Sequence, residues 1–147
     1  MINRRTALAA GTLALMPAAR GATRVQAAST LASRPPIKLG QSAPITGPLA
    51  GVGVAFMSAA QAVFAEVNSA GGIGGHDIKL ITLDDEDRAE RTAVNVTLLA
   101  AEHRVAWLYG FVGAGAHRAG ARGAAEEGLP YVAPVSGSQE LRSGTLP

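Results

Sequence analysis

Apolar and polar positions alternate through Ile37-Lys38-Leu39-Gly40-Gln41-Ser42-Ala43 before the run meets Pro44, the pattern of a strand closed by a turn. Thr46-Gly47-Pro48 supplies the turn, glycine giving access to an unusual φ and proline bringing one already fixed. From Ala50 to Asn68 the period lengthens. Val52, Phe56, Ala59, Val63 and Val67 recur at spacings of three and four, which predicts an amphipathic helix with that row in the core. Ser58, Gln61 and Glu66 then lie elsewhere on its circumference. Asn68-Ser69-Ala70-Gly71-Gly72 ends the helix, because glycine accepts the left-handed conformation of a helix stop.

The same two periods repeat downstream. His76–Leu83 carries Ile78, Leu80 and Leu83 in a strand-like run that ends at Asp84-Asp85-Glu86-Asp87. Asp87 with Glu90 has the spacing of a capping box, and Arg88–Glu102 reads as a second helix burying Ala89, Ala93, Val96 and Ala100. Val105–Val112 is continuously apolar, as expected of a strand covered on both faces, and its Trp107, Tyr109 and Phe111 read as sheet packing. Gly113-Ala114-Gly115 turns the chain into a third helix, Ala116–Glu127, which Gly128 stops. Tyr131–Val135 is a fourth strand, and Ser136-Gly137-Ser138-Gln139-Glu140 opens a further loop. The order β-α-β-α-β-α-β with short connections predicts an α/β fold, a parallel doubly wound sheet with helices on both faces. Ligands of such sheets sit beyond the carboxyl ends of the strands. That directs attention to Pro44–Gly53, Asp84–Asp87, Gly113–Ala116 and Pro134–Glu140.

Charge changes the picture at the N-terminus. The 147-residue chain has 13 basic and 11 acidic residues, a net charge of +2. Arg4 and Arg5 precede the apolar, small-residue stretch Thr6–Ala19, and Val25-Gln26-Ala27 offers small residues where a signal peptidase cleaves. Residues 1–27 therefore read as an export signal, and the polar, proline-ended residues 28–36 as a flexible tether. Cleavage after Ala27 removes four arginines and no acid, leaving nine basic residues against 11 acidic ones and a net charge of −2. No basic cluster with interleaved aromatics remains, so nucleic acid is not an expected partner. About 120 residues are enough for one domain-sized core.

Composition narrows the chemistry further. Eighteen glycines and 30 alanines dominate, and the absence of cysteine excludes disulfides and thiolate chemistry. Gly113-Ala114-Gly115-Ala116-His117-Arg118 follows a strand and opens a helix, but Arg118 stands where a dinucleotide fingerprint needs a third small residue. Exposed backbone N–H groups at a helix start are the better use of those glycines. The four consecutive acids lack ligand spacing for Ca²⁺ or Mg²⁺ and read as helix capping and solvation. His76, His103 and His117 show no metal-ligand spacing. Neither a cofactor nor a metal is expected. Ser136 and Ser138 are hydroxyls outside any G-x-S-x-G motif, since Ala133 occupies the position of its first glycine. What remains is a set of small-residue loops suited to holding a carboxylate or amide without reacting with it.

Ile37-Lys38-Leu39-Gly40, Ile45-Thr46-Gly47-Pro48 and Val67-Asn68-Ser69-Ala70-Gly71-Gly72-Ile73-Gly74-Gly75 together resemble the leucine/isoleucine/valine-binding proteins of ABC importers. Asp77-Ile78-Lys79-Leu80, Asp84-Asp85, Glu126-Glu127-Gly128-Leu129-Pro130, Pro134 and Glu140-Leu141 continue the likeness. The resemblance implies a type I periplasmic binding protein, in which two α/β lobes close on a small-molecule solute and deliver it to an ABC permease in the inner membrane. It implies that residues 37–147 are part of the N-terminal lobe, with the second lobe absent, and that one such lobe alone binds weakly or not at all. It places the ligand-binding positions at Val52, Ala114, Gly115, Val135, Ser136 and Gly137. Hydroxyl-bearing positions of the family fall on Ala114 and Gly137, and Val52 stands where some members carry an aromatic. The implied solute is a branched-chain amino acid or a related amide or carboxylate, and the implied location is the periplasm. Two other classes stay open: a doubly wound hydrolase using Ser136 or Ser138, and the ligand-sensing domain of a receptor.

Overall fold

The computed structural model describes residues 34–137 and Gln139. The proposed export signal, most of the proposed tether, Ser138 and the Glu140-Leu141 part of the family likeness lie outside the described residues.

Seven elements follow in the expected order. They are β1 (Arg34–Ala43), α1 (Ala50–Ser69), β2 (His76–Asp84), α2 (Ala89–Ala101), β3 (Trp107–Tyr109), α3 (Ala114–Glu127) and β4 (Tyr131–Val132). The sheet order is β2-β1-β3-β4, and every pairing is parallel. Because β2 and β3 flank β1 on opposite sides, the chain reverses its winding direction after β2. Consistent with that reversal, Phe56 and Phe64 of α1 pack on Tyr109 from one side, while α2 and α3 pack together over the main core.

β1 begins three residues earlier than its apolar pattern suggests, so residues 34–36 belong to the strand and not to a tether. Arg34 pairs with His76, and a register shift between Arg34 and Ile37 passes over Pro35 and Pro36. The prolines are tolerated because β3 pairs only with Leu39 and Gly40, leaving no ladder on that side for their missing N–H groups. At the other end of the sheet, β3 is shorter than its apolar run. Gly110 takes φ +65°, which breaks the alternation, and Phe111 joins Leu108, Val96, Leu99, Val105 and Ala124 in the buried core instead of following Tyr109. Pairing resumes with an isolated bridge between Val112 and Val135.

The expected buried rows of the first two helices hold in part. On α1, Gly53 and Ala60 are buried and Phe56, Met57, Phe64 and Val67 are partly buried, whereas Val52, Ala59 and Val63 are exposed. α1 is apolar around most of its circumference, so periodicity alone selects no face; the aromatic contact with Tyr109 selects it. By length and composition α1 is also apolar enough to cross a membrane. On α2, Val96 of the expected row is buried and Ala89 and Ala100 are partly buried, but Ala93 is exposed, and Thr92, Asn95 and Leu99 join the buried face. Two polar residues are inside because acceptors await them there, as described below.

Candidate functional site

The carboxyl ends of the strands are built on buried polar side chains. Gln41 donates from Nε2 to the Gly110 carbonyl (3.0 Å) and accepts at Oε1 from the Thr82 hydroxyl (2.9 Å), tying the ends of β2 and β3 across β1. Ser42 donates to Asp85 Oδ2 (2.7 Å) and accepts from Asn95 Nδ2 (3.0 Å). Asp85 also accepts from the Asp87 N–H (3.0 Å) and the Thr92 hydroxyl (3.2 Å). This arrangement replaces the expected capping box. Arg88 occupies the N-cap of α2 without a side-chain cap bond, and Asp87 has φ +59°, outside the extended region in which a capping residue works.

Two of the four acids thus face inward. Asp84 gathers the loop after β1, accepting from the Ile45 N–H (2.9 Å), the Thr46 N–H and hydroxyl, and the Glu86 N–H (3.0 Å). Burial works against its charge, but the Thr46 hydroxyl and the Glu86, Ile45 and Thr46 N–H groups outweigh burial and hold the carboxyl at about 2. Its folded pKa is below the ordinary 3.8, so the stability it contributes is complete above about pH 4 and is lost as pH falls toward 2. Asp84→Asn is expected to flatten the loss of stability across that window; acid titrations that superimpose on the wild type would contradict this role. Asp85 behaves oppositely. Burial pushes its carboxyl above the usual range, only partly offset by Ser42, Asp87 and Thr92. Burial likewise pushes the Tyr131 phenol up, where it sits 3.3 Å from His117 Nδ1 beneath the first turn of α3.

With these loops fixed, the start of α1 is drawn onto the end of β1. A Cβ at Gly53 would lie 2.0 Å from the Pro44 carbonyl oxygen, so only glycine allows this approach. Gly113 caps α3 with φ 106° and ψ 154°, a conformation reserved for glycine, and donates its N–H to the Val135 carbonyl (3.0 Å). The result is an open depression of about 560 Å³ lined by Leu49, Val52, Val112, Gly113, Ala114, Val135, Ser136 and Gly137.

Five of the six residues singled out from the sequence meet there: Val52, Ala114, Val135, Ser136 and Gly137. Gly115 does not. One residue further around the helix, it turns toward α2, with its Cβ position 3.5 Å from the Ala89 Cβ, and lines a separate groove between the two helices. Leu49, Val112 and Gly113 were not singled out. Leu49 directly follows the Thr46-Gly47-Pro48 turn and Gly113 opens the Gly113–Ala116 loop, so both had a signal; Val112 was hidden within an apolar run.

The wall therefore carries four aliphatic side chains and one hydroxyl, with Gly113, Ala114 and Gly137 as small residues and the start of α3 at its edge. Among the described residues, no lining side chain is charged. Such a surface can hold an apolar group and a carboxylate or amide oxygen. The groove between α2 and α3 is of similar size, about 550 Å³, but lies away from the strand ends where doubly wound sheets bind ligands.

The fold is a parallel, doubly wound α/β sheet with an open depression at its strand ends. A family profile described as periplasmic binding protein matches residues 36–146. The chain belongs to the periplasmic binding protein family, as its likeness to the leucine/isoleucine/valine-binding proteins implied. Among solved structures it is similar to the branched-chain amino acid transporter substrate-binding protein LivJ of Streptococcus pneumoniae in complex with isoleucine. Identity there is 30% and the TM-score 0.69, over 74% of this chain and 31% of that one. A possible leucine/isoleucine/valine-binding protein of Rhodopirellula baltica shares 28% identity and a TM-score of 0.72, over 80% and 31%. A substrate-binding periplasmic protein of Ralstonia solanacearum shares 34% identity and a TM-score of 0.70, over 75% and 32%. No curated protein sequence matches significantly. The chain spans about a third of the length of these solved relatives.

Proposed function

We propose that this chain forms part of the solute-binding component of an ABC importer, capturing a small solute outside the cytoplasm for a membrane permease. Residues 1–27 serve as its export signal, and the location of the working protein is the periplasm. The depression at the ends of β1, β3 and β4 supplies one wall of the solute site. Its Leu49, Val52, Val112 and Val135 suit a branched aliphatic group, while the α3 N-terminus and Ser136 suit a carboxylate or amide. The observation that carries this reading is the convergence of the α1, α3 and post-β4 loops on one depression with no charged lining side chain among the described residues. Its support from outside the chain is the isoleucine complex of the S. pneumoniae relative.

The depression is open and leaves much of a solute in water, so isoleucine is expected to bind it weakly, in the millimolar range of affinities (about −4 kcal/mol). Ala114 lines the depression yet is itself exposed, so a larger side chain there obstructs solute without disturbing the core. Ala114→Leu is expected to abolish measurable isoleucine binding while leaving the melting temperature unchanged. Calorimetric titration showing the same affinity in both proteins would contradict the assignment.

A further inference from the structure

The Gln41 amide is fully buried near the end of β1, and its bond to Gly110 has a cause two strands away in the sheet. β3 and β4 keep one register throughout: Leu108 lies opposite Tyr131, Tyr109 opposite Val132 and Val112 opposite Val135. Gly110 therefore stands opposite Ala133. Leu108 donates to the Pro130 carbonyl (2.9 Å) and Gly110 to the Val132 carbonyl (3.0 Å). In a parallel ladder a residue that donates in this way accepts from the N–H two positions further along its neighbour. For Gly110 that position is Pro134, which has no N–H to give. A Gly110 carbonyl aimed at β4 would find no donor there.

It turns instead to Gln41, whose Nε2 donates to it at 3.0 Å. Because that carbonyl only accepts, the amide presents its nitrogen there and its oxygen to the Thr82 hydroxyl. The turn is made at Gly110 (φ 65°) and at its partner across the ladder, Ala133 (φ 52°), a conformation uncommon outside glycine. Beyond the pair the hydrogen-bonding phase is inverted. Val135 donates to the Phe111 carbonyl (2.8 Å) and accepts from the Gly113 N–H (3.0 Å). That inversion sets Val112, Gly113 and Val135 in the lining of the depression. A Cβ at Gly110 would lie 2.5 Å from Phe56 Cε1 and 3.2 Å from Gln41 Nε2, so only glycine lets the amide approach. We infer that Gln41 is a positioning residue of the solute wall, holding the paired turn of β3 and β4 through the Gly110 carbonyl. This role rests on the solute reading for what the wall receives, while the wall's own geometry is readable without solute.

Gln41→Met and Thr82→Val separate this role from simple stability. Methionine keeps the length of the side chain but leaves the Gly110 carbonyl without its donor, whereas Thr82→Val removes only the other bond of the amide. Backbone amide exchange is followed in the full chain without solute, and isoleucine is then titrated in. In Gln41→Met the Gly113 and Val135 N–H groups are expected to lose roughly tenfold more protection than Leu108 does, and isoleucine affinity to fall by a similar factor. In Thr82→Val all three amides are expected to change together, with isoleucine affinity at its wild-type level. At about pH 4 the buried carboxyl of Gln41→Glu is protonated and can donate to Gly110 as the amide does, so it is expected to restore the wild-type pattern. Raising the pH removes that proton, and Gly113 and Val135 are then expected to lose protection ahead of Leu108, which carries the test should Gln41→Met not fold. Equal losses at Gly113, Val135 and Leu108 in Gln41→Met, or the same pattern in Gln41→Met and Gln41→Glu at about pH 4, would overturn the role of Gln41. A wild-type chain that does not bind isoleucine would overturn the solute reading, and the exchange pattern would still decide whether Gln41 positions the wall.

Discussion

Gly53→Ala is expected to destabilise the fold by about 3 kcal/mol or more, a large effect for one added methyl group. The methyl would lie 2.0 Å from the Pro44 carbonyl oxygen and 2.8 Å from its carbon. Both obstacles are backbone, in a buried residue at the end of the central strand, so neither can swing aside as a side-chain tip could. Relief requires α1 to move away from β1, which also carries Leu49 and Val52 away from Gly113 and opens the depression. Gly51→Ala, two residues earlier in the same helix, meets nothing within 4 Å and is expected to stabilise by roughly 0.5–1 kcal/mol through helix propensity alone. Urea denaturation of the pair should therefore give opposite signs. Equal, small effects at both positions would show that α1 is not seated on Pro44.

Asp85→Ala is expected to cost about 3 kcal/mol, because it strands the Ser42 hydroxyl and the Asp87 N–H and leaves the Thr92 hydroxyl only the Arg88 carbonyl (3.2 Å). The hydroxyls of Ser42 and Thr92 and the Asp87 N–H all converge on this carboxylate, and Asn95 is held in turn through Ser42 and the Asp84 carbonyl (3.1 Å). Charge and bonding are separable here. The folded carboxyl titrates above its ordinary 3.8, so the native state binds the proton more tightly than the unfolded chain does. Its contribution to stability therefore falls as pH rises from 3.8 through the raised value. Asp85→Asn keeps an acceptor while removing that titration, so it should lose less stability than Asp85→Ala and should abolish the decline over that window. A stability–pH profile unchanged in Asp85→Asn would refute the buried, proton-binding role.

These two residues mark where the sequence was readable and where it was not. Element order follows from local signals: the alternation before Pro44, the glycines after Asn68 and Gly128 after Glu127 each act within a few residues. Gly128 does adopt the left-handed stop, with φ 66°. The buried face of α1 was not legible, because valine and alanine surround the helix and the deciding contacts with Tyr109 come from 45 and 53 residues away in sequence. The burial of Thr92 and Asn95 was equally hidden. Polar residues turn inward only when a distant partner such as Ser42 or Asp85 is already placed there.

The depression was legible in part because strand ends in a doubly wound sheet are a place that topology dictates. Val52, Ala114, Val135, Ser136 and Gly137 converge because three loops end at the same edge of the sheet. Gly115 shows the limit of that reasoning. A loop can be assigned to a site from its position, but each helical residue turns about 100° from the last, so the next residue can face a different neighbour.

The central claim, that the depression at the ends of β1, β3 and β4 receives the solute, is tested most directly by an amide chemical-shift titration of the chain with isoleucine. Saturable shifts are predicted at Gly113, Ala114, Ser136 and Gly137, with Thr97 and Gly123 in the groove between α2 and α3 unmoved. Shifts that fail to saturate, or that centre on that groove, would contradict it.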